Sequence, residues 1–405
     1  MSAFACEPGR GSEQEVGWRW ALEMARWFDV TVLTQERNRP RIEEEVARGL
    51  PDGLTLSFEY FQLAEPVYRL KSRSDPLTWP YYAWWQWSAR QVVRRLHAEK
   101  SFALAHHVTF VSFRVPVWIK VLKIPVVFGP VGGADIAPYE LLKRGFGPTI
   151  RCKEILRNLL TGASAALMNM VKPISRGAGV CLAATPSMAR LFELAGLPHE
   201  IFPAVGVDCG MPGERDPKGS RRFLFVGRFH PLKGTHLLLE AFARACMEGA
   251  RLTLIASGRD EGKLRELADS LGISERLEWL GKLPREQLPA QYRRHDVLVA
   301  PSLYESGGLV ALEAMAEGLP VVALDVGGHA VSVADGCGIR VPADGGVEDV
   351  IDGLADAMKA YADDPDRVVE DGRRAQERIA EQYSWSAKAA RMRQIYTDLI
   401  SSTTD

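Results

Sequence analysis

Two doubly wound α/β domains in tandem are what this chain of 405 residues predicts. Three observations carry that expectation. Short apolar runs such as RFLFVG (222–227) and DVLVAPS (296–302) recur, most of them followed by an amphipathic stretch of helical period. Strands apolar on both faces and separated by helices form parallel sheets covered on both sides. The series runs twice, and the length suits two domains of ordinary size. Between the two runs lies FPAVGVDCGMPGERDPKGS (202–220), rich in Gly, Pro and charge, as linkers are. The expected division is 1–205, 206–384 and a closing segment, 385–405.

In the first half SAFAC reads as a strand, EVGWRWALEMARWF as a helix, and DVTVLTQ and LTLSFEYF as strands. SFALAHHVTF, IPVVFGPVGG and VCLAATP complete that series. A first strand of about five residues normally starts earlier than SAFAC does, so further residues are expected upstream of Met1. The second half alternates more cleanly. RFLFVG is followed by the helix THLLLEAFARACM, RLTLIASG by EGKLRELADSLG, RLEWLG by REQLPAQYRR, and DVLVAPS by LVALEAMAEG. PVVALDVGG and a short strand near GIRVP close the sheet. In SWSAKAARMRQIYTDLIS, Trp385, Ala389, Met392, Ile395 and Leu399 share one helical face. That helix either closes the second domain or packs back on the first, and the second arrangement is preferred.

The totals narrow the function. A net charge of −1 excludes bulk electrostatic binding of nucleic acid. Residues 1–200 hold 25 Lys and Arg against 19 Asp and Glu, and residues 201–405 hold 25 against 32. A basic first half suits an anionic surface or substrate, and equally an ordinary mixed surface. Six scattered cysteines without a C-x-x-C pair make neither a zinc site nor a disulfide framework, and suit a reducing cytoplasm. No leader pattern and no uncharged apolar stretch of about 18 residues is read.

In open parallel sheets, ligands bind outside the carboxyl ends of the strands. After RFLFVG comes GRFHPLKG, which puts Arg228 and Lys233 in a Gly-bounded loop. A planar fork and a point charge so placed suit a diphosphate, although two surface cations are the plainer reading. After DVLVAPS comes YESGGLVALEAMAEG, where Gly307 and Gly308 open a helix. Glycine is a poor helix former, so the pair needs a reason. Unpaired amides and the positive end of the helix dipole receive an anion, and glycine lets it approach the backbone. Glu305 and Glu313 flank that position and would repel a phosphate they touched. They fit better as acceptors for hydroxyls on either side of it, as a sugar nucleotide supplies. By spacing alone Glu305 could equally cap the helix and Glu313 lie on a solvated face.

GRFHPLKGTHLLLEAF together with YESGGLVALEAMAEGLPVVALDVGG resembles the donor half of the retaining GT-B glycosyltransferases of family four, whose signature is G-R-x-x-x-x-K-G and two Glu separated by seven residues. The first half, through ACEPGRGSEQEVGWRWA and HHVTF…GPVGGAD, is similar to a bacterial branch that builds surface polysaccharides and glycolipids. The resemblance implies two Rossmann-like domains facing across a cleft. It implies that Glu305 bonds donor-sugar hydroxyls, that Glu313 bonds ribose hydroxyls, and that Arg228 and Lys233 neutralise the diphosphate. It further implies that the amides of Gly308, Leu309 and Val310 hold the distal phosphate, and that Gly281 and Leu283 lie against the base. Gly11 would approach the donor from the first domain. One of His106 and His107, with His107 preferred, would reach the sugar or phosphate. Gly132, Gly133 and Asp135 would form an acceptor-facing loop. Where many relatives carry Phe or another residue, Gly307 leaves room beside the sugar.

No cofactor and no metal are implied, the nucleotide diphosphate sugar being a substrate. Asp364-Pro365-Asp366 has the letters of a metal motif but sits where a helix N-cap belongs. Catalysis would pass through an oxocarbenium-like state, the leaving phosphate taking the acceptor proton, with the protein supplying fixed charge and position. The acceptor would be a glycan or lipid-linked. Residues 66–100 crowd Trp79, Trp84, Trp85 and Trp87 among cations. That pattern suits peripheral contact with an anionic membrane at the inner face of the cytoplasmic membrane, or a core helix with a basic outer face. The competing functions are a GT-B sugar-nucleotide epimerase and a silent partner that only binds the nucleotide sugar.

Overall fold

The computed structural model describes residues 1–10, 12–72, 77–115, 117–171, 179–208 and 221–402. Among these, thirteen strands form two parallel sheets. The first contains β1 (Ser2–Ala3), β2 (Val30–Gln35), β3 (Leu56–Phe61), β4 (Ala105–Thr109), β5 (Val126–Val131), β6 (Gly179–Ala183) and β7 (His199–Ile201). Their order is β3-β2-β1-β4-β5-β6-β7. The second contains β8 (Arg222–Arg228), β9 (Arg251–Ser257), β10 (Leu277–Trp279), β11 (Val297–Ala300), β12 (Val321–Leu324) and β13 (Gly338–Val341), ordered β10-β9-β8-β11-β12-β13. In each sheet the order reverses once, between β1 and β4 and between β8 and β11. Ligand crevices of doubly wound sheets open at such reversals.

The strands lie where apolar runs predict them, with two differences. β1 is shorter than the expected SAFAC, and the edge strand β7 was not expected. β7 is short and its burial pattern is exposed, intermediate, exposed, so it lacks the apolar run that marks a central strand.

The chain divides into two compact units. One holds Met1–Ala134, Ala163–Ala204 and Trp385–Asp405; the other holds Asp135–Gly162 and Val205–Ser384. Residues 135–162 therefore do not belong with the first unit, as the expected boundary at 205 had them. The reason is packing: Ala137, Leu141 and Leu142 are fully buried in the same core as Leu237, Phe242 and Leu354. The carboxamide of Asn158 fixes this loop by donating to the Ala137 carbonyl at 2.8 Å. The segment is further tied by Arg144, which pairs with Glu240 at 3.2 Å and with Glu348.

The closing helix, Trp385–Ser401, inserts Trp385, Ala389, Met392 and Ile395 among Trp20, Met24 and Val127 of the first unit. Lys388 is buried with them. Its ammonium donates to the Pro203 carbonyl and lies 4.0 Å from the Phe202 ring centre, and burial draws its pKa down to about 7. The helix Pro365–Arg378 is N-capped by Asp364, whose side chain accepts from the Arg367 amide at 3.0 Å. The cysteines among the described residues, Cys6, Cys152, Cys181, Cys246 and Cys337, are free. No described helix is long and apolar enough to cross a membrane.

Candidate active site

The second sheet reverses at β8 and β11, and the loops leaving these two strands are bonded to each other. At the end of β8, the exposed Arg228 has no ion-pair partner among the described residues. His230 caps the following turn: its Nδ1 accepts from the Leu232 amide at 3.2 Å. The turn Pro231–Lys233 ends at Gly234, where a Cβ would sit 1.9 Å from the Pro301 carbonyl oxygen. Leu303 N–H donates to the Leu232 carbonyl at 2.9 Å. This approach delivers Lys233 to Glu305, with Nζ 2.6 Å from Oε2. The two residues are 72 apart in sequence.

Glu305 is held from three sides. Its Oε1 accepts from the Gly308 amide at 3.2 Å and its backbone carbonyl accepts from the Gly328 amide at 2.8 Å. Burial raises the pKa of its carboxyl, but Lys233, His329 and the Gly308 amide together outweigh burial and leave it below the usual value. The carboxylate is thus ionised at neutral pH. Gly308 (φ 60°) N-caps the helix Leu309–Ala316 and does not form its first turn. The first bond of that helix runs from Leu312 N–H to the Gly308 carbonyl. The amides of Leu309 and Val310 thus precede the ladder, as helix-opening amides do. The Gly308 amide, expected on a phosphate, is bonded to Glu305 instead.

Glu313 lies a turn into the helix. Its Oε1 accepts from Arg285 at 3.0 Å and its Oε2 from the buried Tyr292 hydroxyl at 3.2 Å. These two donors fix the carboxylate facing the loop that leaves β10, which carries Gly281 and Leu283. Burial, then the charge of Glu313, pushes the Tyr292 phenol far up, so it stays a donor. Among the described residues, a Cβ added to Gly307 would meet the Val205 methyls, at 3.5 Å or more.

Several expected site residues stand elsewhere. His107 sits mid-β4, paired with Ser2, and both ring nitrogens are engaged: Nε2 with the Tyr82 hydroxyl at 2.8 Å, Nδ1 with the Ser2 hydroxyl at 3.1 Å. Burial takes its pKa down to about 4, and no ring nitrogen remains for a substrate. His106 is likewise engaged, with Tyr396 and the Gly129 carbonyl. The catalytic expectation for His107 is corrected on this geometry. Gly11 lies outside the described residues. Glu13, in the first turn of the helix Ser12–Ala25, is half-buried and accepts from the Phe110 amide, which joins that helix to the loop leaving β4. Gly132 and Gly133 remain in the first unit, where the Gly133 carbonyl accepts from Arg114 at 3.2 Å. Asp135 belongs to the second unit. It is buried beside Gly327, whose added Cβ would lie 3.6 Å from the Asp135 carboxyl carbon. It therefore backs the Glu305 loop and does not belong to an acceptor loop of the first unit.

Two residues of this region were missed. His329 and Ser332, on the short helix His329–Ser332 after β12, are buried beside Gly308. The available signal was a His and a Ser one turn apart, directly after a Gly pair at a strand end.

Two parallel-sheet, Rossmann-like units with this loop arrangement define the GT-B fold. Residues 211–375 match the family described as glycosyl transferases group 1, which supports the resemblance read from the sequence. Among curated relatives, the D-inositol 3-phosphate glycosyltransferase of Mycolicibacterium smegmatis is 44% identical over 150 residues, 34% of each chain. That of Corynebacterium glutamicum is 35% identical over 220 residues, covering 49% of this chain and 51% of the relative. The matches thus span a third to a half of these relatives. Among solved structures, sucrose-phosphate synthase of Thermosynechococcus elongatus shares the fold with a TM-score of 0.60 at 19% identity, covering 98% of this chain and 95% of the other. HepE of Anabaena, solved with UDP, gives 0.60 at 18%, covering 94% and 95%.

Proposed function

We propose that this chain is a retaining, metal-independent glycosyltransferase that moves a sugar from a nucleoside diphosphate sugar to a glycan or lipid-linked acceptor. The observation that carries the reading is the meeting of Lys233, Glu305 and the opening of Leu309–Ala316 at the reversal of the second sheet, with Arg228 at the carboxyl end of β8. Cations and helix amides take the charge that develops on the leaving diphosphate, and the two carboxylates take hydroxyls beside it. That HepE was solved with UDP makes UDP the first probe. The names of the curated relatives favour a second acceptor, a phosphorylated polyol, on the same donor chemistry.

Thermal unfolding with a panel of nucleoside diphosphates and their sugars tests the reading. The matching nucleotide stabilises the fold by about 2.7 kcal/mol at 100 times its dissociation constant. Labelled sugar is then transferred, and Glu305→Ala abolishes transfer. Interconversion of the donor without transfer would mean an epimerase, and tight binding without turnover a silent partner.

The peripheral membrane contact is part of this proposal. On the helix Thr78–Lys100, Trp85 is core, but Trp84, Trp87, Gln91 and Arg94 form one exposed stripe. Trp84 is 49% exposed and Trp87 43%. Arg95 is engaged by Glu59 and Arg90 lies 3.9 Å from the Trp87 ring centre, so Arg94 is the cation of that stripe. Arg94→Gln is expected to weaken sedimentation with anionic vesicles about fivefold, the equivalent of about 1 kcal/mol per basic residue at such a surface. Unchanged sedimentation of Arg94→Gln combined with Trp84→Ser and Trp87→Ser removes the membrane from the proposal.

A further inference from the structure

We propose that His329 and Ser332 form a second wall of the anion site, each donating a hydrogen bond to the distal phosphate received beside Gly308. The inference rests on the donor reading above and adds two ligands to it. Both side chains are 2% exposed, and His329 Nδ1 and Ser332 Oγ have no hydrogen-bond partner among the described residues. Leaving a buried polar atom unpaired costs about 1–3 kcal/mol, so native folds rarely keep two together without a use for them.

Their placement points to that use. The Gly327–Gly328 pair docks this segment onto the Glu305 loop: the Gly328 amide donates to the Glu305 carbonyl, and Cβ atoms on the pair would meet the carbonyl oxygens of Glu305 and Ser306. A Cβ on Gly308 would lie 3.4 Å from His329 Cδ2 and 3.6 Å from Ser332 Oγ. Both side chains therefore flank the residue that caps the helix. Glu305 and Lys233 are the charged groups acting on the imidazole. Burial holds it well below the usual pKa, at about 4, so it is neutral at pH 7 and carries one N–H. A neutral donor and a hydroxyl add hydrogen bonds to a phosphate without a third fixed cation, which suits a site whose product is itself an anion.

Titration calorimetry with UDP and UMP, and with GDP and GMP, tests this on the full chain. In the Ser332→Ala and His329→Leu variants, affinity for the diphosphate is expected to fall about three- to tenfold, the worth of one hydrogen bond. Affinity for the monophosphate stays the same, and His329→Asn, which keeps a polar atom near the Nδ1 position, recovers most of the loss. Melting without ligand checks the fold, and Ser332→Ala is expected to melt no lower than wild type. An equal loss for diphosphate and monophosphate means a structural role and overturns the inference. So does an unchanged ratio, as for a pair satisfied by buried water. Wild type that binds neither UDP nor GDP overturns the donor reading itself.

Discussion

Alanine at Arg228 is expected to lower kcat/KM for sugar transfer by about 100-fold or more, the cost of losing one preorganised group from a developing charge. Stability should stay within about 0.5 kcal/mol of wild type, as for other surface substitutions. The two halves of that expectation have separate causes. The guanidinium stands at the carboxyl end of β8, exposed and with no ion pair among the described residues, so the fold does not depend on it. A cation at that place gains its value only when the diphosphate arrives and its charge grows as the glycosidic bond breaks. Lys233 is the informative contrast. Its ammonium already serves Glu305, so Lys233→Ala removes the diphosphate cation and also strips a half-buried carboxylate of its partner. That variant is expected to lose stability as well as turnover, because a largely buried charge is left uncompensated. Kinetics with a labelled donor and melting curves for both variants separate the effects. Wild-type kcat/KM in Arg228→Ala would remove the strand-end clamp, and with it the donor assignment of the β8 loop.

Most of the second unit was legible because its signals are local. Alternating apolar runs and helices, a Gly-bounded loop with two cations, and two Glu at fixed spacing each lie within a short window. What was not legible depends on contacts between distant residues. The Lys233–Glu305 pair joins loops 72 residues apart, brought together only because β8 and β11 are neighbours at the sheet reversal. His107 looked like a ligand for the sugar or phosphate. The interior register of β4 and the arrival of Tyr82 from the helix Thr78–Lys100 make it a saturated core residue instead. A boundary set by composition could not reveal that Ala137, Leu141 and Leu142 leave one core and enter the other. Glu313 read as a free acceptor, yet Arg285 and Tyr292 orient it, and neither donor is marked by spacing. His329 and Ser332 carry no motif, and only their burial beside Gly308 without partners singles them out.

The glycines of the site divide into one that the backbone requires and one that it tolerates, and alanine at each is expected to have opposite consequences. Gly327 has φ 52°, and an added Cβ would stand 2.0 Å from the Glu305 carbonyl oxygen. The left-handed backbone alone costs a non-glycine residue about 1–2 kcal/mol. The collision is with backbone, so it cannot be relieved by a side-chain rotation. Relief requires the Glu305 loop to move away, which breaks the bond from the Gly328 amide and shifts the carboxylate that holds Lys233 and the Gly308 amide. Gly327→Ala is therefore expected to lose at least about 2 kcal/mol of stability. It is also expected to lose transfer by about 100-fold, since a displacement near 1 Å suffices for that. Gly307 has no such constraint: its Cβ would make ordinary contact with Val205 at 3.5 Å. Gly307→Ala should stay within about 0.5 kcal/mol of wild type. Its effect should fall on which donor sugar is accepted, because the methyl fills room beside Glu305 without touching the diphosphate clamp. Denaturant titration and competition between nucleotide sugars measure both outcomes. Equal stability of the two variants would contradict the docking of the Gly327–Gly328 segment on Glu305, on which the geometry of the candidate site depends.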